Sequence, residues 1–262
     1  MPEGERIIGV IPARFASTRF PGKPLAAIAG KPMIRWVYEA ASRAKELSSV
    51  VVATDDERIK QAVEGFGGKV MLTSGAHRSG TDRVAEVAGR LAASHYINIQ
   101  GDEPLIGAEH IDEVARMLLG GAPMATLAAR MTSRSDLFDQ NVVKVVVDRA
   151  GAALYFSRHA IPFPRKYLDR GIDVDLDASV YLRHLGTYGY SRAALLELAG
   201  SEPCEIEELE SLEQLRALYL GIRLEVGVVE AAGPCVDVPG DIAKVENLLA
   251  TRGARQWPST SL

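Results

Sequence analysis

Three cationic side chains follow the first apolar run of the chain, on a loop of small residues. The run Ile7 to Ile11 is short and β-branched, which predicts a strand buried on both faces. Arg14, Arg19 and Lys23 come after it among alanine, serine, glycine and proline residues. Ligands of open α/β sheets bind at the carboxyl ends of the strands. Small residues also let backbone N–H groups approach phosphate. The pattern therefore favours a phosphate-binding loop over a solvated basic turn.

Two acidic side chains follow a later apolar run. The stretch Tyr96 to Gln100 predicts another buried strand, and Asp102 and Glu103 come directly after it, between Gly101 and Pro104. Mg²⁺ takes oxygen ligands, usually one or two carboxylates together with substrate phosphates. A simple turn is the alternative. Because the basic loop is expected at the same edge of the sheet, the pattern favours Asp102 as a metal ligand.

A third candidate segment, Thr73 to Arg83, is rich in serine, glycine and threonine and opens a helix predicted to end near Leu91. The start of a helix presents free N–H donors to a ligand, although every helix of this kind also needs an ordinary N-cap. The chain has no G-x-x-x-x-G-K-[ST] motif, and no G-x-G-x-x-G follows the first strand. These gaps disfavour the P-loop and the dinucleotide-binding Rossmann classes.

Strands and helices alternate through the first part of the chain. Strands are predicted at 50–53 and 69–72, a helix from Pro32 to about Ala44, and another from the Thr54-Asp55-Asp56 cap to Phe66. This β-α-β-α-β order predicts a parallel sheet covered on both faces. Further strands are predicted at 124–129, 142–147, 152–156, 183–190 and 222–229, with a closing helix at 241–249.

Three later stretches have a distinct character. Leucines at helical spacing predict one amphipathic helix from Ile206 to Leu220, whose buried stripe would be Leu209, Leu212, Leu215, Leu218 and Tyr219. The stretch 161–177 is proline-containing and charged, which predicts an exposed, mobile insertion. The tail from Gln256 is polar and is expected to be disordered.

Composition is that of an ordinary globular protein. The 262 residues are 47% hydrophobic and 24% charged with a net charge of −4, so nothing indicates a nucleic-acid partner. The two cysteines have no metal-ligand spacing, which fits a reducing compartment. The sequence shows no signal-peptide core and no apolar run that would span a bilayer. We therefore expect a cytoplasmic protein without a membrane partner.

The motifs together resemble one family. The segment IPARFASTRFPGKPL followed by GKPMI, and the later HRSGTDR, GDEP, RHLGTYGY and LEQLR, are similar to the 3-deoxy-manno-octulosonate (Kdo) cytidylyltransferases, and the match runs from Ile8 to about Leu249. The resemblance implies a three-layer α/β/α, Rossmann-like nucleotidyltransferase fold with a mostly parallel central sheet. It also implies the reaction of CTP with Kdo to CMP-Kdo and diphosphate for lipopolysaccharide biosynthesis, with Mg²⁺ and a homodimer.

The same resemblance implies roles for individual residues. Catalytic roles fall to Arg14, Arg19, Lys23, Asp102 and Asp237, of which Asp102 and Asp237 would bind Mg²⁺. The acid sugar would be placed by Gln100, Arg158, His184, Tyr188, Glu213 and Gln214, since a sugar acid needs donors for its carboxylate and an aromatic ring against its carbons. The nucleotide would be bound by Pro12, Ala13, Arg14, Arg19, Lys23, Arg78, Ser79, Gly80, Thr81, Arg83, Gln100 and Asp102.

Alternatives remain open at this level. The chain is expected to be a single domain, with a CTP-binding part at 1–130, a sugar-binding and dimerisation part at 131–230, the closing helix to 250 and a polar tail at 251–262. A sibling enzyme acting on 8-amino-Kdo or sialic acid shares the expected fold, whereas sugar-phosphate nucleotidylyltransferases have a glycine-rich first loop that this chain lacks. A catalytically inactive nucleotide-binding module is the alternative from a different class.

Overall fold

A computed structural model of the protein describes residues 6–17, 19–169, 180–230 and 233–253. Its strands are β1 Ile7–Ala13, β2 Ala27–Ile28, β3 Lys31–Pro32, β4 Ser49–Thr54, β5 Val70–Leu72, β6 His95–Asn98, β7 Met124–Arg130, β8 Lys144–Val147, β9 Ala153–Ser157, β10 Leu182–Ser191 and β11 Leu224–Val229. Its helices are α1 Met33–Ala41, α2 Glu57–Gly65, α3 Gly80–Arg90, α4 Ala108–Leu119, α5 Arg134–Phe138, α6 Arg165–Leu168, α7 Arg192–Gly200, α8 Glu205–Glu210, α9 Gln214–Tyr219 and α10 Asp241–Gly253.

Within these ranges nine strands form one sheet, whose main path runs β11-β7-β10-β6-β1-β4-β5. Strand β1 lies parallel to β4 and β6, β4 is parallel to β5, and β11 is parallel to β7. Only β10 runs antiparallel to its neighbours on this path, and it also pairs with the β8–β9 hairpin. The sheet is therefore mixed and mostly parallel, which confirms the predicted fold class.

Helices cover both faces of the sheet because β1 is apolar on both. Ile8 and Val10 pack with residues of α3, α7 and α9, whereas Ile7 and Ile11 pack with α1, α2 and α4. The alternation follows from the period of two along a strand. The result is the three-layer arrangement that the sequence predicts, with the polar ends of β1 and β6 left free at one edge.

Residues 206–220 differ from the prediction. They form two short helices, α8 and α9, separated at Ser211, which has a φ of 52° and a ψ of 50°. Leu212 and Leu215 are buried as predicted, but Leu209 and Tyr219 are 78% and 69% exposed. The prediction of one continuous helix was therefore wrong, because a residue in the left-handed conformation ends the first helix and changes the direction of the chain before the second.

The other late segments lie partly outside the described residues. Of the predicted insertion at 161–177, residues 161–169 are described and include α6, whereas 170–177 lie outside the described ranges. The tail from Gln256 also lies outside them. The closing helix α10 is present, and its Val245 packs in one cluster with Val236, Ile28, Met33 and Leu105. None of the helices in the described ranges has the length and apolar character that a bilayer crossing requires.

Candidate active site

The basic loop after β1 is closed on itself. Gly22 donates its backbone N–H to Phe15 O at 2.9 Å and has a φ of 72°, a conformation that glycine adopts at little cost. A Cβ at this position would lie 3.1 Å from the Phe15 ring. The Arg58 guanidinium carbon lies over the same ring, 3.3 Å from its centroid. These contacts fix the loop that carries the cations.

Lys23 brings together the two carboxylates that the sequence places 135 residues apart, at 102 and 237. Its Nζ donates to Asp102 Oδ2 at 2.7 Å and to Val236 O at 3.0 Å, and it lies 3.9 Å from Asp237 Oδ1. Arg19 Nη1 lies 4.0 Å from the same Asp237 oxygen. The side chain of Lys23 is only 18% exposed, so this contact is stronger than one between solvated charges.

The chemistry of this carboxylate pair fits a hard divalent cation. Two acidic side chains are the set that Mg²⁺ takes when substrate phosphates and water complete its shell. Among the described residues, no group of three or more histidine, cysteine or acidic side chains is arranged to hold a metal ion, and the carboxylates that Lys23 gathers are a pair. Burial, with the Asp102 charge, raises the pKa of the neighbouring Glu103 to about 7. Near neutral pH it therefore adds less negative charge than a third free carboxylate would.

Helix α10 does not depend on Asp237 for its first contacts. The Asp241 carboxylate accepts hydrogen bonds from the backbone N–H groups of Asp237 and Val238, both at 3.1 Å. The capping contacts before α10 thus belong to Asp241, and the Asp237 side chain points its charge towards Lys23 and Arg19 instead. Asp237 is therefore available for a ligand role.

An outer cavity of about 420 Å³ lies over the basic loop. Its lining includes all three predicted loop cations, the last two residues of β1 and the residues after β6, namely Arg14, Arg19, Lys23, Pro12, Ala13, Gln100, Gly101 and Asp102. The concentration of cations around one polar cavity suits a triphosphate. The structure thus brings together the predicted phosphate loop and Asp102.

An inner cavity of about 150 Å³ adjoins the outer one through Pro12 and Gln100, which line both. Its other walls come from the start of α3, from β6, from β10 and from α9, and include Gly80, Thr81, Asn98, Tyr188, Tyr190, Glu213 and Gln214. Four of the six residues predicted for the sugar therefore line one cavity beside the predicted triphosphate pocket.

The start of α3 lies between the residues predicted to bind the nucleotide and those predicted to bind the sugar. Ser79 accepts a hydrogen bond from the Asp82 N–H and donates its own N–H to the Asp82 carboxylate, each at 3.1 Å, which is a capping box. Burial raises the pKa of the nearby Glu213 carboxyl above its usual value, and the Ser79 and Thr81 hydroxyl groups offset part of this shift. Arg78 is exposed and lines a separate polar depression that Ser79 and Glu213 share.

The structure places Arg83 behind the site rather than in it. The side chain is fully buried, so it does not line the outer or the inner cavity. Its guanidinium donates to Thr73 Oγ1 and lies 3.5 Å from Asp55 Oδ1. Burial, together with the Arg14 charge, lowers the pKa of Arg83. The predicted direct nucleotide contact is corrected to a supporting position under the loop, because α3 turns this side chain into the core.

A bulge in β10 sets the positions of His184 and Tyr188. The register against β7 shifts between Leu185 and Tyr188, and the Thr126 hydroxyl lies 2.8 Å from Thr187 O and 3.0 Å from His184 Nε2. Burial lowers the pKa of His184 to about 3, so the ring is neutral at physiological pH. It packs 5.1 Å from the Tyr188 ring. His184 is thus a neutral support for Tyr188 rather than a cation for a sugar acid.

Arg158 is engaged by backbone carbonyls and does not line either cavity. Its Nε donates to Glu210 O at 2.8 Å, Nη1 to Gln140 O at 3.1 Å and Nη2 to Ser211 O at 3.3 Å. The Glu210 carboxylate in turn accepts from the Arg158 N–H at 3.0 Å. The predicted sugar contact by Arg158 is therefore corrected, because the guanidinium bonds the carbonyls at the break between α8 and α9.

The helix break at Ser211 sets the positions of Glu213 and Gln214. Lys144 is fully buried, and its Nζ donates at 2.7 Å to three backbone carbonyls, including Arg158 O. The buried ammonium fixes Arg158, and Arg158 fixes the end of α8. The start of α9 then lies over the inner cavity with Gln214 6% exposed.

Sequence reasoning missed Thr126, Lys144 and Glu210 as residues that support the site. Each is a polar residue in or beside an apolar element, which is the available signal, because a buried polar group must be hydrogen-bonded. Thr126 bonds the Thr187 carbonyl at the bulge, whereas Lys144 and Glu210 bond the backbone of Arg158, and the sequence pattern predicts none of these contacts.

Comparison with known proteins identifies close relatives. A family model described as cytidylyltransferase matches residues 8–224. A protein of Pelobacter propionicus named 3-deoxy-manno-octulosonate cytidylyltransferase is 50% identical over 242 residues, which cover 91% of this chain and 95% of the relative. A protein of Vibrio cholerae with the same name is 47% identical and covers 93% and 97% of the two chains.

Two solved structures are also similar to this chain. The structure of a CMP:2-keto-3-deoxy-manno-octonic acid synthetase complexed with CTP has a TM-score of 0.88 and 42% sequence identity, and the match covers 95% of this chain and 100% of that one. A 4-diphosphocytidyl-2C-methyl-D-erythritol synthase from Anaerococcus prevotii has a TM-score of 0.62 at 14% identity, over 95% and 97% of the two chains. This second likeness shows the fold alone.

We predict that Thr126→Val lowers the free energy of unfolding by about 1–3 kcal/mol, because it leaves the buried Thr187 carbonyl without its donor. Thr126→Ser is the matched control, since it keeps the hydroxyl and should lose less. Urea unfolding of the three proteins measures the difference. Equal stability of the valine variant and the wild type would show that the hydroxyl does not hold the bulge.

Proposed function

The chain belongs to the cytidylyltransferase family, and we propose that it activates Kdo, converting CTP and Kdo to CMP-Kdo and diphosphate for lipopolysaccharide biosynthesis. The names of relatives at about 50% identity support this choice of substrate. One observation in the structure supports the proposed reaction most directly. The loop cations lie close to Asp102 and Asp237, and the outer cavity that they line adjoins the inner cavity. That arrangement has room for a nucleoside triphosphate and a small polar acceptor side by side.

In this reaction the protein contributes mainly the positioning of the substrates and the stabilisation of charge. The anomeric hydroxyl oxygen of the sugar bonds to the α-phosphorus of CTP, the bond from that phosphorus to the bridging α–β oxygen breaks, and the hydroxyl proton is lost to water. Arg14, Arg19 and Lys23 would hold the triphosphate and stabilise the charge of the departing diphosphate. The hydroxyl and N–H groups at the start of α3 would bind the nucleoside.

We assign Mg²⁺ to Asp102 and Asp237. When bound, the cation neutralises charge at the α-phosphate and lowers the pKa of the attacking hydroxyl. The protein's part is to hold two carboxylates close together, which Lys23 does when its ammonium lies between them. Once phosphate groups arrive, the same ammonium is free to pair with them, since it lines the outer cavity.

The sugar would occupy the inner side of the site. Gln100, Tyr188, Glu213 and Gln214 line that cavity, and His184 and Arg158 support it from behind. Gln100 donates Nε2 to Gly186 O at 2.6 Å, which fixes the amide at the junction of the two cavities. We propose that these four residues contact the sugar.

We also propose a cytoplasmic homodimer with the single-domain division expected from the sequence. Leu154 on β9 is 59% exposed and Phe163 is 60% exposed, and both lie in the 131–230 part that is expected to carry the dimer contacts. Burial of such apolar side chains stabilises association. CTP and Kdo are the proposed small-molecule partners.

A panel of substrates tests the proposed function. Diphosphate release should be fastest with CTP and Kdo and should fall by at least about tenfold with UTP, because a pocket that pairs the cytosine amino group leaves polar atoms unpaired when uracil binds. Faster release with 8-amino-Kdo or sialic acid would reassign the sugar. No release with any acid sugar would favour an inactive nucleotide-binding module.

The metal assignment predicts that Asp237→Asn lowers kcat on the order of 100-fold and raises the Mg²⁺ concentration needed for half-maximal activity. The change removes one charge and keeps the size of the side chain. Asp241→Asn is the control, because Asp241 makes the capping contacts before α10. Steady-state rates across a Mg²⁺ titration decide the point. A wild-type rate and midpoint for Asp237→Asn would refute the metal role.

A further inference from the structure

Phe15 connects the two ends of the basic loop. Its carbonyl accepts the Gly22 N–H at 2.9 Å, and its ring packs against the core cluster on the α1, α2 and α4 face of the sheet. Arg14 directly precedes Phe15, and Lys23 directly follows Gly22. The contact between Phe15 and Gly22 therefore sets how far apart these two cations lie.

A residue of helix α2 covers the face of the Phe15 ring. The Arg58 guanidinium carbon lies 3.3 Å from the ring centroid, although the Arg58 side chain is 60% exposed. A cation over the face of an aromatic ring is attracted by the quadrupole of the ring. A planar guanidinium also stacks on the ring, which the ammonium group of a lysine cannot do. The contact therefore ties α2 to the basic loop.

Asp56, the residue before α2, fixes the plane of this guanidinium. Its Oδ1 accepts hydrogen bonds from Arg58 N–H at 2.9 Å and from Arg58 Nε at 3.0 Å, and its Oδ2 accepts one from Nη2 at 2.6 Å. The Asp56 N–H in turn donates to Thr54 Oγ1 at 3.2 Å, and Thr54 lies opposite Ala13 at the end of β1. A bidentate ion pair of this kind restricts orientation. We refer to Asp56, Arg58 and Phe15 as the α2 clamp.

The α2 clamp contributes order rather than charge. The outer cavity is lined by described residues other than Arg58, and the Arg58 guanidinium is already paired with the Asp56 carboxylate. The field of such an exposed pair is weak at a distance and is screened by salt. What the pair does is hold an aromatic ring from outside the loop.

We propose that Arg58 is a positioning residue for the triphosphate of CTP. Its stacked guanidinium keeps Phe15 against Gly22, and so keeps the two neighbouring cations around the outer cavity in the free protein. A loop that is already ordered loses less freedom when its ligand binds, which raises affinity. This inference rests on the proposed function, since it takes CTP as the ligand of that cavity.

Two substitutions separate the stack from the charge. Arg58→Lys keeps the charge and loses the planar group, whereas Arg58→Gln loses both. We expect each to raise the dissociation constant for CTP, measured by calorimetric titration with Mg²⁺ and without sugar, about 3- to 10-fold. The KM for Kdo at saturating CTP should stay within about twofold, because the lining of the inner cavity comes from other described residues.

Arg35→Gln is the matched control for these variants. Arg35 also pairs with an acid, Glu39, at 2.7 Å, and its guanidinium carbon lies 5.7 Å from an aromatic centroid, that of Phe66. It makes these contacts on Phe66 rather than on the basic loop. Its substitution should therefore leave the dissociation constant for CTP unchanged.

A double-mutant cycle tests the path through Phe15. Phe15→Leu removes the ring, so Arg58→Gln should weaken CTP binding no further in that background. Three results would overturn the inference: an unchanged CTP constant in both Arg58 variants, a wild-type constant in Arg58→Lys beside a weakened Arg58→Gln, or independent effects in the cycle. If Phe15→Leu does not fold, the two Arg58 variants decide the point.

The binding measurement also separates this inference from the proposed function. Because CTP binding is measured without turnover, a wild type that binds CTP but releases no diphosphate with any acid sugar overturns the proposed function alone. A wild type that does not bind CTP overturns both.

Discussion

The structure of the site depends on keeping two carboxylates close together at one edge of the sheet. Asp102 follows β6 and Asp237 precedes α10, and both lie within 4 Å of the Lys23 ammonium. Two like charges this close would raise a pKa and repel without a cation between them. The closed loop after β1 supplies that cation, and the packing of α10 against the loop region brings the second carboxylate. The order of β1 and β6 in the sheet makes both possible, because their carboxyl ends are neighbours.

The sugar side of the site depends on two irregularities rather than on regular elements. Thr126 holds a bulge in β10, and Arg158 holds the helix break at Ser211. Both do so through backbone carbonyls, which are freed wherever a ladder or a helix is interrupted. A regular strand and an unbroken helix would aim Tyr188 and Glu213 elsewhere. The polar residues behind the cavity are therefore as necessary to its shape as those that line it.

Much of this was predictable from local patterns. The β-branched run of β1, the loop cations and the Asp102 segment lie where the sequence places them, because burial on both faces of a strand and a small-residue loop leave clear signals. The break at Ser211 was not predictable, since the leucines around it keep helical spacing and the Arg158 guanidinium that bonds the Ser211 carbonyl lies 53 residues earlier in the chain. The position of Asn98 in the wall of the inner cavity was equally unpredictable, because one polar residue does not change an apolar strand pattern. Long-range hydrogen bonds explain these differences.

We infer that the Lys23 ammonium occupies the place between the Asp102 and Asp237 carboxylates that a divalent cation would take. Calorimetric titration of the nucleotide-free protein with Mg²⁺ tests it most directly. Removing a nearby positive charge strengthens cation binding, so Lys23→Met should bind Mg²⁺ about tenfold more tightly than wild type. Lys31→Met, which removes a lysine paired with Glu39, should not change the affinity. An unchanged or weaker affinity for Mg²⁺ in Lys23→Met would contradict the claim.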